Sequence, residues 1–173
     1  MAQSSTDIRQ GALYARPNLE NSIWYGSALI SFLATSEMTD GRYSLQVMRI
    51  TKGFAPPAPH RHGPEDFYIL RGQVRFWVGD QELVAASGDF VHTLPGVWHT
   101  FQVESDEAEM LLIFAPSGLE GFFQELGRPA EALELPGGRI GPPDPNRLRA
   151  LGPKYGIEFS PPGTTVRDIS ALG

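Results

Sequence analysis

His60-Arg61-His62-Gly63-Pro64-Glu65 opens, and Gly96-Val97-Trp98-His99 closes, the stretch on which this chain is organised. All four histidines, at positions 60, 62, 92 and 99, fall inside it. On an extended segment, side chains two apart point the same way, so His60 and His62 share a face. Glu65 follows three positions later and His99 arrives on a separate strand. Three imidazole nitrogens and one carboxylate oxygen form a donor set suited to several divalent first-row metals.

Working outward, the pattern is one of short strands between turns. Glu65 to Leu70 reads as a strand that stops at Arg71-Gly72. Gln73 to Val78 and Gln81 to Val84 are strands joined by Gly79-Asp80, a two-residue loop with Gly first, as a type II′ hairpin prefers. Phe90 to Leu94, Trp98 to Val103 and the apolar Met110 to Ala115 follow, separated by Ser87-Gly88-Asp89, Pro95-Gly96 and Ser105-Asp106-Glu107. On the N-terminal side, Tyr43 to Thr51 alternates as a strand does. Ser22 to Thr35 is an aromatic, apolar strand run ending in a turn at Thr39-Asp40-Gly41. Gly53 to Pro59 carries three prolines, which cannot donate to a ladder, so it is a loop or edge approach to the histidines. Turn signals every eight to twelve residues predict an all-β sandwich or barrel.

After Ser117 the chain changes character. Ser117 and Glu120 form a capping-box pattern, and Leu119, Phe122, Phe123 and Leu126 make one apolar stripe before Gly127, predicting a short helix. Residues 128 to 143 are rich in Pro and Gly. Asp144-Pro145 then supplies an N-cap and first-turn proline for a second short helix reaching Gly152, with Leu148, Leu151 and Tyr155 as its buried contacts. The expected organisation is one domain over 1–173: an irregular arm at 1–20, a barrel at 21–116 and a helical and irregular cover at 117–173.

Composition limits what this site can serve. A chain of 173 residues buries roughly 70% of its unfolded surface and folds without staples. With no Cys, disulfides, thiolate nucleophiles and thiolate metal sites are excluded, leaving nitrogen and oxygen ligands. A net charge of -6 without a Lys/Arg cluster argues against nucleic acid or anionic membrane as a partner. Met1 to Gln10 lacks the basic lead-in and apolar run of a leader, and no apolar stretch reaches spanning length, so a soluble, cytoplasmic protein is expected.

These residues resemble the cupin family. Gly53 to Gly72 is similar to its first motif, with His60-Arg61-His62, then Glu65-Asp66-Phe67-Tyr68, and with the family's six residues between Glu65 and Gly72. Gly88 to Val103 is similar to the second motif and carries His99. Only Gly63-Pro64 separates His62 from Glu65, fewer residues than the family pattern has, and Leu94 and Val103 stand where Pro and Asn are usual. Within the family the nearest likeness is to bacterial quercetinase-like monocupins. It extends through Gly118-Leu119-Glu120-Gly121-Phe122-Phe123, Arg128-Pro129-Ala130 and the region from Pro143-Asp144-Pro145 to Lys154-Tyr155-Gly156.

The resemblance implies a single cupin (double-stranded β-helix, jelly-roll) barrel with short C-terminal helices. It also implies one divalent transition metal, Fe, Ni, Mn, Co, Cu or Zn, on His60, His62, Glu65 and His99. The implied reaction is a flavonol 2,3-dioxygenase type of ring cleavage, with a small aromatic or enolic substrate, O2 and a homodimer. The residues alone reach a metal-dependent oxygenase or lyase on an apolar substrate, with Glu65 as base as well as ligand. A non-catalytic small-molecule-binding cupin and a metal-assisted isomerase or cyclase on a polyketide-like ring are the alternatives. His92 is read as a partly buried, hydrogen-bonded histidine, and Asp66 as a solvated residue on the face opposite Glu65.

Overall fold

The computed structural model describes residues 6–9 and 11–172. Thr6–Arg9 (β1) and Ala12–Ala15 (β2) form a separate antiparallel hairpin where an irregular arm was expected; residues 1–5 of that arm lie outside the described residues. The aromatic run 22–35 is two strands, Ser22–Tyr25 (β3) and Ala28–Ala34 (β4), because Gly26 at φ 56 turns the chain back. Ser36–Thr39 (α1) is a single helical turn closed by Asp40 in the left-handed region, followed by Ser44–Thr51 (β5).

Next come His60–Arg61 (β6), Glu65–Arg71 (β7), Gln73–Val78 (β8), Gln81–Ala86 (β9), Phe90–Thr93 (β10), His99–Val103 (β11) and Glu107–Phe114 (β12). Gly79 sits at φ 59, the geometry its hairpin needs. Gly72, at φ 86, has no room for a Cβ, which would lie 2.4 Å from the Glu107 carbonyl oxygen. The C-terminal part comprises Glu120–Leu126 (α2), Arg128–Pro129 (β13), Pro145–Leu151 (α3), a 3-10 turn at Gly152–Tyr155, Glu158–Phe159 (β14) and a 3-10 helix at Val166–Ala171.

Two antiparallel sheets share one core, as the cupin-barrel expectation requires. The first runs β10-β7-β12-β5-β4-β3-β13 and the second β14-β6-β11-β8-β9. β5 alternates buried and half-buried along its whole length, and Met48 and Ile50 join Phe67, Ile69, Phe76, Phe101, Met110 and Leu112 between the sheets. β13 and β14 come from the expected cover yet pair with β3 and β6, so barrel and cover are not separated at residue 116.

The α2 helix forms where the apolar stripe places it, but its start differs from the capping box. Ser117 makes no cap. Leu119 is the N-cap residue, and the buried Glu120 carboxylate accepts from Gly118 N at 2.6 Å and from Ser36 N at 2.7 Å. A local cap is thereby replaced by a long-range tie to α1. The α3 helix is capped as expected, Asp144 accepting from Asn146 N, and Leu148 is buried with Leu151 and Tyr155 packed against the core. No described helix is long and apolar enough to cross a membrane.

Candidate metal centre

The short His62–Glu65 spacing has a structural reason. His60 lies on β6 in the second sheet, and Gly63-Pro64 carries the chain across to the first sheet, where Glu65 is the opening residue of β7. Gly96 N donates to the His62 carbonyl at 2.8 Å, holding this corner against the Pro95-Gly96 turn. From that turn β11 starts at His99, which pairs directly with His60.

The four side chains converge: one ligand atom from each of His60, His62, Glu65 and His99 lies within 4.8 Å of the others. His62 Nε2 and His99 Nε2 stand 3.3 and 3.4 Å from Glu65 Oε2. His62, Glu65 and His99 are buried and His60 is half-buried. Each imidazole is anchored at its other nitrogen. The Nδ1–H of His60 donates to Ala58 O at 3.1 Å, that of His62 to Gly63 O at 2.8 Å, and that of His99 to Val97 O at 2.9 Å. Such backbone contacts fix tautomer and ring orientation, leaving Nε2 as the ligating atom. His99 Nε2 is fully buried without a hydrogen bond. That orphaned nitrogen, facing a carboxylate and two more imidazoles, fits a metal ion.

The electrostatics of the cluster agree with that use. Burial, reinforced by His99 and His62, lowers His60 to about 3, so it is neutral and ready to coordinate. Burial works to lower His62 too, but the facing Glu65 carboxylate overcomes it and raises His62 above its ordinary value. Burial pushes Glu65 upward, and the two imidazoles it faces outweigh this, holding it at about 2.

A cavity of about 50 Å³ adjoins the cluster. His60, His62 and Glu65 form part of its wall; the rest is Tyr25, Met48, Phe54, Pro56, Pro57, Phe101 and Leu112 from the barrel, with Leu119, Phe122, Phe123, Ile157 and Phe159 from the C-terminal region. The last two were not expected from the sequence. β14 pairs Phe159 with His60, and the Phe159 ring lies 5.9 Å from the His60 ring, so the tail covers the ligand strand. The only trace of this in the sequence is the alternation Ile157-Glu158-Phe159, too short to stand out. β6 is therefore an inner strand of its sheet, between β11 and β14, and not an edge.

His92 and Asp66 lie elsewhere. They are cross-strand partners of β10 and β7, on the face opposite Glu65, with His92 Nδ1 2.5 Å from Asp66 Oδ1. His92 is hydrogen-bonded as expected but exposed where partial burial was expected, since it lies on the outer sheet face; Asp66 is half-buried and paired where a solvated side chain was expected, because His92 lies against it.

Residues 46–115 match the family model of the cupin domain. Among curated proteins, a quercetin 2,3-dioxygenase of Bacillus subtilis (strain 168) is 31% identical over 125 residues, covering 72% of this chain and 35% of that protein. One of Aspergillus japonicus is 33% identical over 76 residues, covering 41% of this chain and 22% of that protein. The chain thus spans about a third or less of these relatives. Solved structures of similar fold include a cupin-like protein of Thermotoga maritima (TM-score 0.48, 20% identity, 54% of this chain and 72% of that one). Another is a predicted oxalate decarboxylase of the same organism (TM-score 0.48, 20% identity, 51% and 80%).

Proposed function

We propose, from the premise that this chain carries a cupin domain and is similar in sequence to quercetin 2,3-dioxygenases, that it is a metal-dependent dioxygenase cleaving the ring of a flavonol or related enolic aromatic with O2. The observation that carries this reading is the convergence of His60, His62, Glu65 and His99, each imidazole anchored at Nδ1, at the wall of an otherwise aromatic and aliphatic cavity. The two named relatives support the substrate class. His60, His62, Glu65 and His99 would hold one divalent transition metal, which would supply Lewis acidity and a meeting point for substrate oxygen and O2.

The chain's own residues would do the rest. Glu65, whose carboxylate stands at the cavity wall, would take the proton of the substrate's enolic hydroxyl. Phe54, Phe101, Phe122, Phe123 and Phe159 offer flat apolar faces to an aromatic ring and keep water from it. Pockets for ligands of flavonol size measure roughly 300–1,000 Å³. At about 50 Å³ this cavity admits such a ring only when side chains of the cover swing aside.

Oxygen uptake by the metal-loaded protein with a panel of flavonols tests the proposal. Flavonol-dependent consumption is expected, and Glu65→Gln should lower turnover by roughly 10²–10⁴-fold, the range for losing a general base. Flavonol binding without oxygen uptake at any loaded metal would overturn the dioxygenase and leave a binding protein.

A further inference from the structure

Among the described residues lining the cavity, every side chain outside the metal cluster is apolar except Tyr25. Tyr25 ends β3, is only 5% exposed, and meets the Phe123 ring edge-on at 5.3 Å between centroids. Its hydroxyl makes no hydrogen bond to any described residue and is not fully closed off, so it is open to a ligand's oxygen. Burial also pushes the phenol up from its ordinary value, so it stays protonated and can only offer its hydrogen or a weak acceptor.

We propose that Tyr25 is the residue that selects and orients the substrate, its hydroxyl donating a hydrogen bond to a ring hydroxyl oxygen remote from the enol that faces Glu65 and the imidazoles. The inference rests on the function proposed above and narrows it to enolic aromatics with a second, distant hydroxyl. The cluster holds one end of such a ring, and Tyr25 is the one polar group on the remaining wall able to hold the other. An apolar wall discriminates poorly between hydroxylated and bare rings, whereas a buried donor left unpaired by the wrong ligand discriminates strongly.

Dissociation constants of quercetin and of unsubstituted 3-hydroxyflavone, measured anaerobically on metal-loaded wild-type and Tyr25→Phe proteins, decide the matter. The variant should keep its metal content and thermal midpoint, since it loses no internal hydrogen bond. It should bind quercetin about tenfold more weakly, the scale of one lost hydrogen bond, and 3-hydroxyflavone within about twofold of wild type. Equal losses for both flavonols, or no loss for either, would overturn the role of Tyr25 while leaving the flavonol reading intact. Binding of neither by the wild-type protein would overturn the flavonol reading and the Tyr25 role with it.

Discussion

At the scale of single residues, the cluster carries a pH dependence whose sign follows from its three perturbed groups. His60 is lowered to about 3 from 6.5, so unfolding takes up a proton there once the pH drops below 6.5, and its contribution to stability is lost between that value and about 3. Glu65, held at about 2 against 4.5, acts in the same sense: its contribution is present above 4.5 and lost as the pH falls toward 2. His62 is raised, so its contribution is full below 6.5 and is lost as the pH climbs through its folded value. The urea midpoint of the metal-free protein should therefore fall as the pH is lowered from 6.5, and His60→Gln should flatten the part above 4.5. An unchanged slope in that variant would contradict the assignment. These residues were legible in the sequence because the spacing of two imidazoles on one strand and Glu65's distance from Gly72 are local facts. Tyr25 was not legible: inside an aromatic run nothing separates a tyrosine that packs from one that keeps its hydroxyl free.

At the scale of elements, α2 closes the cavity with Phe122 and Phe123, and the tail closes it with Ile157 and Phe159. Glu125 ties the two together, its carboxylate accepting from Lys154 Nζ at 2.5 Å and from the Tyr155 hydroxyl at 2.8 Å. Phe122 is 4% exposed, and replacing it by Ala should cost about 3–5 kcal/mol. The helix also belongs to the cavity, so the double replacement of Phe122 and Phe123 by Ala should, in whatever fraction folds, keep the metal but weaken substrate binding and turnover. The milder Phe123→Leu should show the same direction without unfolding. Unchanged substrate affinity and turnover beside a lowered thermal midpoint would make α2 a structural seal only. The stripe Leu119, Phe122, Phe123, Leu126 was readable because helical periodicity is local. The cap was not, because Glu120 spends its carboxylate on Ser36 N, 84 residues away. β13 and β14 escaped for a like reason: two-residue strands carry no period, and their partners lie far back in the chain.

At the scale of the whole molecule, the expected dimer needs an exposed apolar surface, and the outer face of the larger sheet offers one. The aromatic, apolar run 22–35 is largely accounted for within the chain: Trp24 and Leu29 are covered by Ala130, Leu135 and Ile140. Exposed aromatic surface lies instead at β7 and the edge strand β10, where Phe90, 59% exposed, pairs with Tyr68. Aromatic surface on an edge strand favours association. Sedimentation at micromolar concentration should give a dimer of the 19.0 kDa chain, and Phe90→Glu should shift it to monomer; a wild-type monomer would contradict this. Within one chain, the candidate metal centre joins the two sheets, since His60 and His99 come from the smaller and Glu65 from the larger. The most direct test of the account is metal content, measured on wild-type and His99→Ala proteins purified without chelator. About one equivalent is expected for the wild type, and for the variant, which lacks the one ligand brought by β11, roughly a tenth of that or less. A full equivalent retained by folded His99→Ala would contradict it.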